Sequence, residues 1–329
     1  MTRDDKISQL DIIIQDALSE MVGPQCVYVD LPYYANVGDV LIWEGTNQFF
    51  KRNHITVVYS GSWDTFDFRP IPEEIPIVMQ GGGNFGDIWE PPQQFRLSII
   101  KRYPKNRIII LPQTVYYYSE QRIKEDAIIF SSHSNLTICV RDTNSFNLVR
   151  KYFKNNVICL PDMAFCIPTK KIRKFGKKTK LGAYLFLKRS DKEYKFSRYE
   201  TIIPTNVNVR DWPPLENEQS YLRTMSCLIK RRRILTRLGI SRIIDFYAYY
   251  ILRCRIMHEG VRFLSQYERV YTTRLHGAIL AILLDKPCVL LNNSYGKNES
   301  FYNTWLSDVN EITFVYETPM NFSSSSTRM

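Results

Sequence analysis

The sequence predicts an α/β protein in which two parallel-sheet domains face a cleft. Three observations carry that expectation. Short β-branched runs alternate with helix-patterned segments through the first half of the chain. Several of those runs are almost continuously apolar, as strands buried on both faces are. After a basic stretch at 169–180 the alternation resumes.

The strands of the first unit are expected at QCVYVDL (25–31), ITVVYSG (55–61), IPIVMQG (75–81), RIIILPQ (107–113), LTICVRD (136–142) and VICLPD (157–162). DVLIWEGTNQFFKR, QQFRLSIIKRY, EQRIKEDAIIF and TNSFNLVRKYF carry helical periodicity between them. This domain is placed at residues 1–167 and the second at 168–329. TKKIRKFGKKTK opens the second unit as a solvated basic linker or a binding patch. KLGAYLFLK then reads as a strand. Residues 216–266 read as helical and contain four consecutive cations, Lys230, Arg231, Arg232 and Arg233. Strand YERVYTT, helix LHGAILAILLD, strand PCVLLN and a helix near SFYNTWL follow. The polar tail MNFSSSSTRM is expected to fray. No repeat of fixed period is visible.

Composition limits the function classes. The chain has 329 residues, 44% hydrophobic and 23% charged, which is ordinary for a globular protein with a full core. Its net charge of +11 favours anionic partners: phosphates, nucleic acid or an acidic membrane face. MTRDDKISQLDIII has charges where a signal peptide needs an apolar run. No apolar stretch approaches the ~20 residues of a spanning helix; IIDFYAYYIL is short and contains Asp245. The seven cysteines are scattered without a CxxC pair, so reduced thiols in a cytoplasm are expected and no zinc site.

In open α/β sheets ligands bind beyond the carboxyl ends of the strands, and several loops there have the composition for it. In QGGGNFGD, Gly81, Gly82 and Gly83 form either a tight strand-to-helix turn or a nest of bare N–H groups for an anion, with Asn84 beside it. In ANVGD, Asn36 and Gly38 suit a turn, and Asp39 either caps the next helix or holds a carboxylate at the cleft. In CVRDT, Arg141 either pairs with a neighbouring acid such as Asp142 or grips an anion. In TTRLHGAILAILLDKP, Arg274 and His276 precede an apolar helix. A helix N-terminus attracts anions, Arg274 adds a fixed charge and His276 a proton near neutral pH. Gly277 leaves room there for a ligand. The plain alternative is an ordinary strand–helix junction.

The ordered set NVGD, GGGNFGD, LPQT, VRD, LPD, RLHG and NNSYGK resembles the polysaccharide pyruvyl transferase family, from about Tyr33 to Trp305. The resemblance implies a GT-B-like fold of two Rossmann-like domains facing a cleft. It implies transfer of the enolpyruvyl group of phosphoenolpyruvate onto two hydroxyls of one sugar, giving a cyclic pyruvate ketal on a glycan or lipid-linked precursor. Residues 189–266 carry no alignable motif, so the acceptor does not follow from the resemblance.

On that footing His276, Asp39 and Arg274 are the expected catalytic residues. His276 would be the acid, or the group that protonates the departing phosphate; Asp39 would be the base. Arg141, Asn36, Gly82, Gly83, Asn84, Gly277, Tyr295 and Lys297 are the expected binding residues, with Lys297 alternatively a surface lysine. No metal cluster is evident and no cofactor is expected, phosphoenolpyruvate being a co-substrate. The partners expected are phosphoenolpyruvate, a sugar acceptor and, through the basic segment, an anionic membrane at its cytoplasmic face, with no nucleic acid. Two other readings stay open. One is a GT-B glycosyltransferase using a nucleotide sugar. The other is a non-catalytic nucleic-acid or membrane binder, marked by salt-sensitive DNA binding without phosphate release.

Overall fold

The structure, a computed structural model, describes residues 1–194, 203–217 and 219–316. The tail expected to fray lies outside the described residues.

The first half runs α1 (Arg3–Val22), β1 (Gln25–Val29), α2 (Val37–Arg52), β2 (Thr56–Gly61), β3 (Ile77–Met79), β4 (Gly82–Gly86), α3 (Glu90–Arg102), β5 (Ile108–Tyr116), α4 (Glu120–Ser131), β6 (Leu136–Val140), α5 (Thr143–Tyr152) and β7 (Asn156–Cys159). After a 3₁₀ turn at Met163–Cys166 come α6 (Thr169–Arg173), β8 (Tyr184–Leu187), β9 (Asn208–Arg210), α7 (Pro213–Glu216), α8 (Ser220–Lys230), α9 (Arg232–Arg237), α10 (Arg242–Tyr247) and α11 (Arg253–Ser265). The chain then forms β10 (Arg269–Thr272), α12 (Leu275–Leu283), β11 (Cys288–Leu290), α13 (Lys297–Phe301) and β12 (Ile312–Phe314).

Both sheets are parallel, as the unbroken apolar runs predict. The first has the order β2-β1-β3-β5-β6-β7, with β4 added beside β5. The second reads β9-β8-β10-β11-β12. Each unit thus starts at its first strand, steps one way to the second, then reverses and proceeds outward. This is the flavodoxin-like doubly wound order, not the 3-2-1-4-5-6 order of the Rossmann sheet. In such sheets the ligand crevice lies where the order reverses: between β1 and β3 in one sheet and between β8 and β10 in the other.

One apolar core runs unbroken from one sheet to the other, through Tyr28, Val78 and Ile109 to Leu185, Val270 and Leu290. Helices α2, α11 and α12 pack together in its middle. Eight of the nine residues of α12 are buried, as a helix apolar all round requires. A second cluster fills the other face of the first sheet under α3, α4 and α5.

Two expectations change. QGGGNFGD is not a loop between strand and helix: Gly82–Gly86 form β4, recruited by the nine-residue β5 despite poor strand propensity. The stretch 169–180 is also more than a solvated linker. Arg173 donates to the Leu283 carbonyl and Lys171 to Glu44, tying it to the core. All seven cysteines are free, most of them buried. Among the described residues no helix is long and apolar enough to cross a membrane.

Candidate active site

A cavity of about 510 Å³ opens where the two reversal points meet. Its walls come from the loops after strand carboxyl ends in both sheets, including Tyr34–Asn36 after β1, Arg141 after β6, Arg189–Glu193 after β8 and Arg274–His276 after β10.

Helix α2 starts at the cavity. Its cap is Asn36, not Asp39: Asn36 Oδ1 accepts from the backbone N–H of Gly38 (2.9 Å) and Asp39 (3.4 Å). The Asp39 carboxylate is therefore left for the cavity. Its Oδ2 accepts from Asn36 Nδ2 (2.7 Å) and Tyr34 Oη (2.9 Å). Burial pushes this carboxyl above its ordinary range, against the pull of His276, Tyr34, Arg141 and Lys297. A carboxylate so held is a better base than a solvated one.

His276 sits in the first turn of α12, whose start no side chain caps. Its Nε2 lies 3.2 Å from Asp162 Oδ2, and Nδ1 lies over Gly38, where an added Cβ would come within 2.5 Å of it. Asp162 is buried and also accepts from Arg141 Nη1 at 2.5 Å. Burial opposes its charge, but His276 and Arg141 prevail and hold the carboxyl well below its usual range. Facing a fixed carboxylate, Nε2 must be the donor, so Nδ1 is the nitrogen left to gain or lose a proton.

Arg141 is 1% exposed. It does not pair with adjacent Asp142, which caps α5 instead. Nη1 takes Asp162 and Nε takes Thr114 Oγ1 (2.9 Å). Nη2 points at the space beside Gly83, where an added Cβ would lie 3.0 Å from it and 3.7 Å from Lys297 Nζ. Lys297 is no surface lysine. It is buried and bonded to Glu193, which also accepts from Arg189 Nη1 and Tyr295 Oη. Burial lowers its ammonium to about 8, with Arg189 and Arg141 acting the same way against Glu193.

Arg274 lines the cavity but is not a bare cation. Its guanidinium grips Asp211 through Nε and Nη2 and lies 3.4 Å from Asp191. Gly82 and Tyr295 stand behind the wall: Gly82 in β4, with φ +146°, and Tyr295 stacked on Tyr116 at 4.4 Å. Asn84 does line the cavity, fixed by Arg96 Nη2 (2.9 Å). Arg96 also meets Asp30, whose carboxyl burial pushes up to about 7 against that guanidinium.

Gly277 leaves no room for a ligand. An added Cβ would lie 2.5 Å from Thr272 Oγ1 and 2.7 Å from a Leu187 methyl, so the glycine lets α12 approach β10 and β8. Gly277→Ala is expected to destabilise by about 1–3 kcal/mol. Thermal melts would show a lower midpoint, with donor KM unchanged in the folded enzyme; an unchanged midpoint would remove this packing role.

Sequence reasoning missed the carboxylate partners Asp162, Asp191, Glu193 and Asp211, and the aromatic rim. Trp63 stacks on Tyr34 at 5.2 Å, Trp89 completes the rim, and Trp212 lies buried in the wall beneath it. KRSDKE directly after LFL was the available signal for the β8 loop, by the same strand-end rule that picked out RLHG.

A family model described as "Polysaccharide pyruvyl transferase" matches residues 36–295. The chain is 36% identical over 296 residues to "Putative pyruvyl transferase EpsO" of Bacillus subtilis (strain 168), covering 87% of this chain and 86% of that protein. It is 27% identical over 304 residues to "Pyruvyl transferase 1" of Schizosaccharomyces pombe (strain 972 / ATCC 24843), covering 84% and 69%. In fold it is similar to the crystal structure of the functionally uncharacterized protein KP1_0663 from Klebsiella pneumoniae subsp. pneumoniae NTUH-K2044. That similarity has a TM-score of 0.60 and 23% identity, over 94% of this chain and 98% of the other.

Proposed function

The chain belongs to the polysaccharide pyruvyl transferase family, and from that premise we propose that it transfers the enolpyruvyl group of phosphoenolpyruvate to two hydroxyls of an acceptor sugar, forming a cyclic ketal and releasing phosphate. One observation carries this reading. Arg141 Nη2 and Lys297 Nζ converge close to Gly83 at the wall of the cavity, which His276 and Asp39 also line. A small ligand with phosphate and carboxylate close together fits such a place.

The chemistry divides among these groups. A proton from His276 Nδ1 adds to the methylene carbon and leaves an oxocarbenium-like centre at the neighbouring carbon. The first sugar hydroxyl attacks that carbon and gives its proton to Asp39. The carbon–oxygen bond to phosphate then breaks, and the second hydroxyl closes the ketal. Of the two hydroxyl protons, one leaves with the phosphate and one restores the acid. Arg141 and Lys297 hold the donor, and Arg274 with Asp211 holds the β9 and β10 loops together. Tyr34, Trp63 and Trp89 offer aromatic faces to the acceptor, with Trp212 buried behind them. The reading needs no cofactor. It treats residues 1–167 and 168–329 as two units meeting at the cavity, in the GT-B manner, and the protein as cytoplasmic.

Lys297 gives this reading a pH signature. A lysine lowered to about 8 carries its charge below that pH and loses it above. Donor KM is therefore expected to rise as pH increases through about 8, and Lys297→Arg should flatten that limb. A flat wild-type profile across this window would take Lys297 out of donor binding.

Calorimetric titration separates this reading from a nucleotide-sugar glycosyltransferase. Phosphoenolpyruvate is expected to bind saturably and resist displacement by a nucleoside diphosphate sugar. Binding of the nucleotide sugar alone would favour the alternative.

A further inference from the structure

Helices α9 and α10 form an exposed hairpin that the proposed reaction does not use. α9 buries none of its residues. It ends at Gly239 (φ +71°), where the Gly239 and Ile240 N–H groups donate to the Thr236 and Leu235 carbonyls and turn the chain sharply. Large apolar side chains stand in solvent on both arms. Ile234 and Leu238 are four residues apart on one side of α9, and Leu238 is 65% exposed. Ile243, Phe246 and Tyr250 repeat at helical spacing along α10 and its continuation, with Phe246 59% exposed and its ring 4.6 Å from that of Tyr250.

Cations surround these residues. From Gln219 to Ile244 the sequence holds seven Lys and Arg and no acid. Lys230, Arg231, Arg233, Arg237 and Arg242 are exposed. Arg232, Arg233, Thr236 and Arg237 line a shallow depression of about 320 Å³ among these side chains. Arg232 is the exception among the four consecutive cations: its Nη2 donates to the Thr65 and Phe66 carbonyls.

We propose that this hairpin docks on an anionic lipid surface, with Ile234, Leu238, Ile243 and Phe246 entering the head-group boundary and the surrounding Lys and Arg pairing with lipid phosphates. Charge complementarity selects the partner. A surface that mixes many cations with aliphatic side chains has the chemistry of an interfacial membrane helix, where basic residues keep their charges at the interface as apolar groups insert. Nucleic acid would meet the cations but gain nothing from the isoleucines and leucines. Such docking also has a place in the fold. Asp245 accepts from Tyr33 Oη (2.9 Å) and Thr65 Oγ1 (2.8 Å), fastening the hairpin to the loop that carries Trp63. The docked surface therefore lies on the flank of the cavity's Tyr34–Trp63 rim. On the proposed function, an acceptor carried on lipid would arrive there. The docking itself stands on the surface alone, so its test is independent of the transfer reaction.

The test is co-sedimentation of the full chain with phosphatidylcholine vesicles, with and without phosphatidylglycerol. Wild type is expected to bind only the vesicles containing phosphatidylglycerol, and less as salt is added. A basic residue close to an anionic surface changes partitioning roughly fivefold. The variant Lys230→Gln/Arg231→Gln/Arg233→Gln/Arg237→Gln should therefore lose at least about tenfold, allowing for charges that stay distant. The variant Ile243→Ser/Phe246→Ser keeps every charge and should also bind more weakly. Both changes fall on exposed side chains, and unchanged thermal melts would exclude misfolding. Absence of wild-type binding, equal binding to both vesicle types, or unchanged binding in both variants would overturn the proposal. So would a dimer that the variants dissociate while vesicles bind nothing, which would make this face a contact between copies of the chain.

Discussion

His276→Ala is expected to lower the turnover of pyruvyl transfer by roughly 10²–10⁴-fold, the usual worth of a positioned acid or base, while the protein melts as wild type does. The side chain is 12% exposed and makes one side-chain hydrogen bond, to Asp162. Its removal leaves Asp162 still paired with Arg141 and creates no orphaned buried charge. His276→Gln is the sharper variant, because its amide can donate to Asp162 as Nε2 does but cannot carry a proton. It should be as inactive as the alanine form. Turnover restored by glutamine would mean that His276 only positions its neighbours. Steady-state kinetics at saturating donor, beside a thermal melt of each variant, measures both.

Arg141→Lys is expected to raise donor KM roughly ten- to hundredfold, as losing a charge-assisted hydrogen bond worth about 1.5–3 kcal/mol would. One guanidinium serves three directions: Asp162, Thr114 and the space beside Gly83. A lysine keeps the charge but has a single nitrogen for them, and Asp162 claims it first. Arg141→Ala is less informative. It leaves the buried Asp162 with His276 alone, and breaking a buried pair costs about 3–5 kcal/mol of stability. Calorimetric titration of the lysine variant with phosphoenolpyruvate reads the effect directly, and wild-type affinity would place the donor elsewhere.

The cavity was legible in the sequence where a polar or glycine-rich group follows an apolar strand. PYYANVGD, CVRDT and RLHG all reach its wall. What was not legible is which charges cancel. Arg274 and Lys297 look like bare cations, but Asp211 and Glu193 come from loops that are distant in sequence and close only once the second sheet forms. The strand before Asp211 gave no signal either: Asn208–Arg210 is three exposed residues paired along one edge of β8. The role of Gly277 was misread because a glycine at a helix start looks the same whether it admits a ligand or a neighbouring strand. The helical reading of 216–266 survives, but with breaks at Arg231 and Gly239 that hydrophobic periodicity does not reveal.

The central claim is that this cavity moves a pyruvyl group from phosphoenolpyruvate to a sugar. It is tested most directly by incubating the enzyme with ¹³C-labelled phosphoenolpyruvate and a panel of free and lipid-linked oligosaccharides, then analysing acceptors by mass spectrometry and phosphate by assay. The account predicts an acceptor carrying the labelled pyruvyl group as a ketal, one phosphate released for each, and neither product with His276→Gln. Acceptor modified only when a nucleotide sugar is supplied, or phosphate released without label in any acceptor, would contradict it.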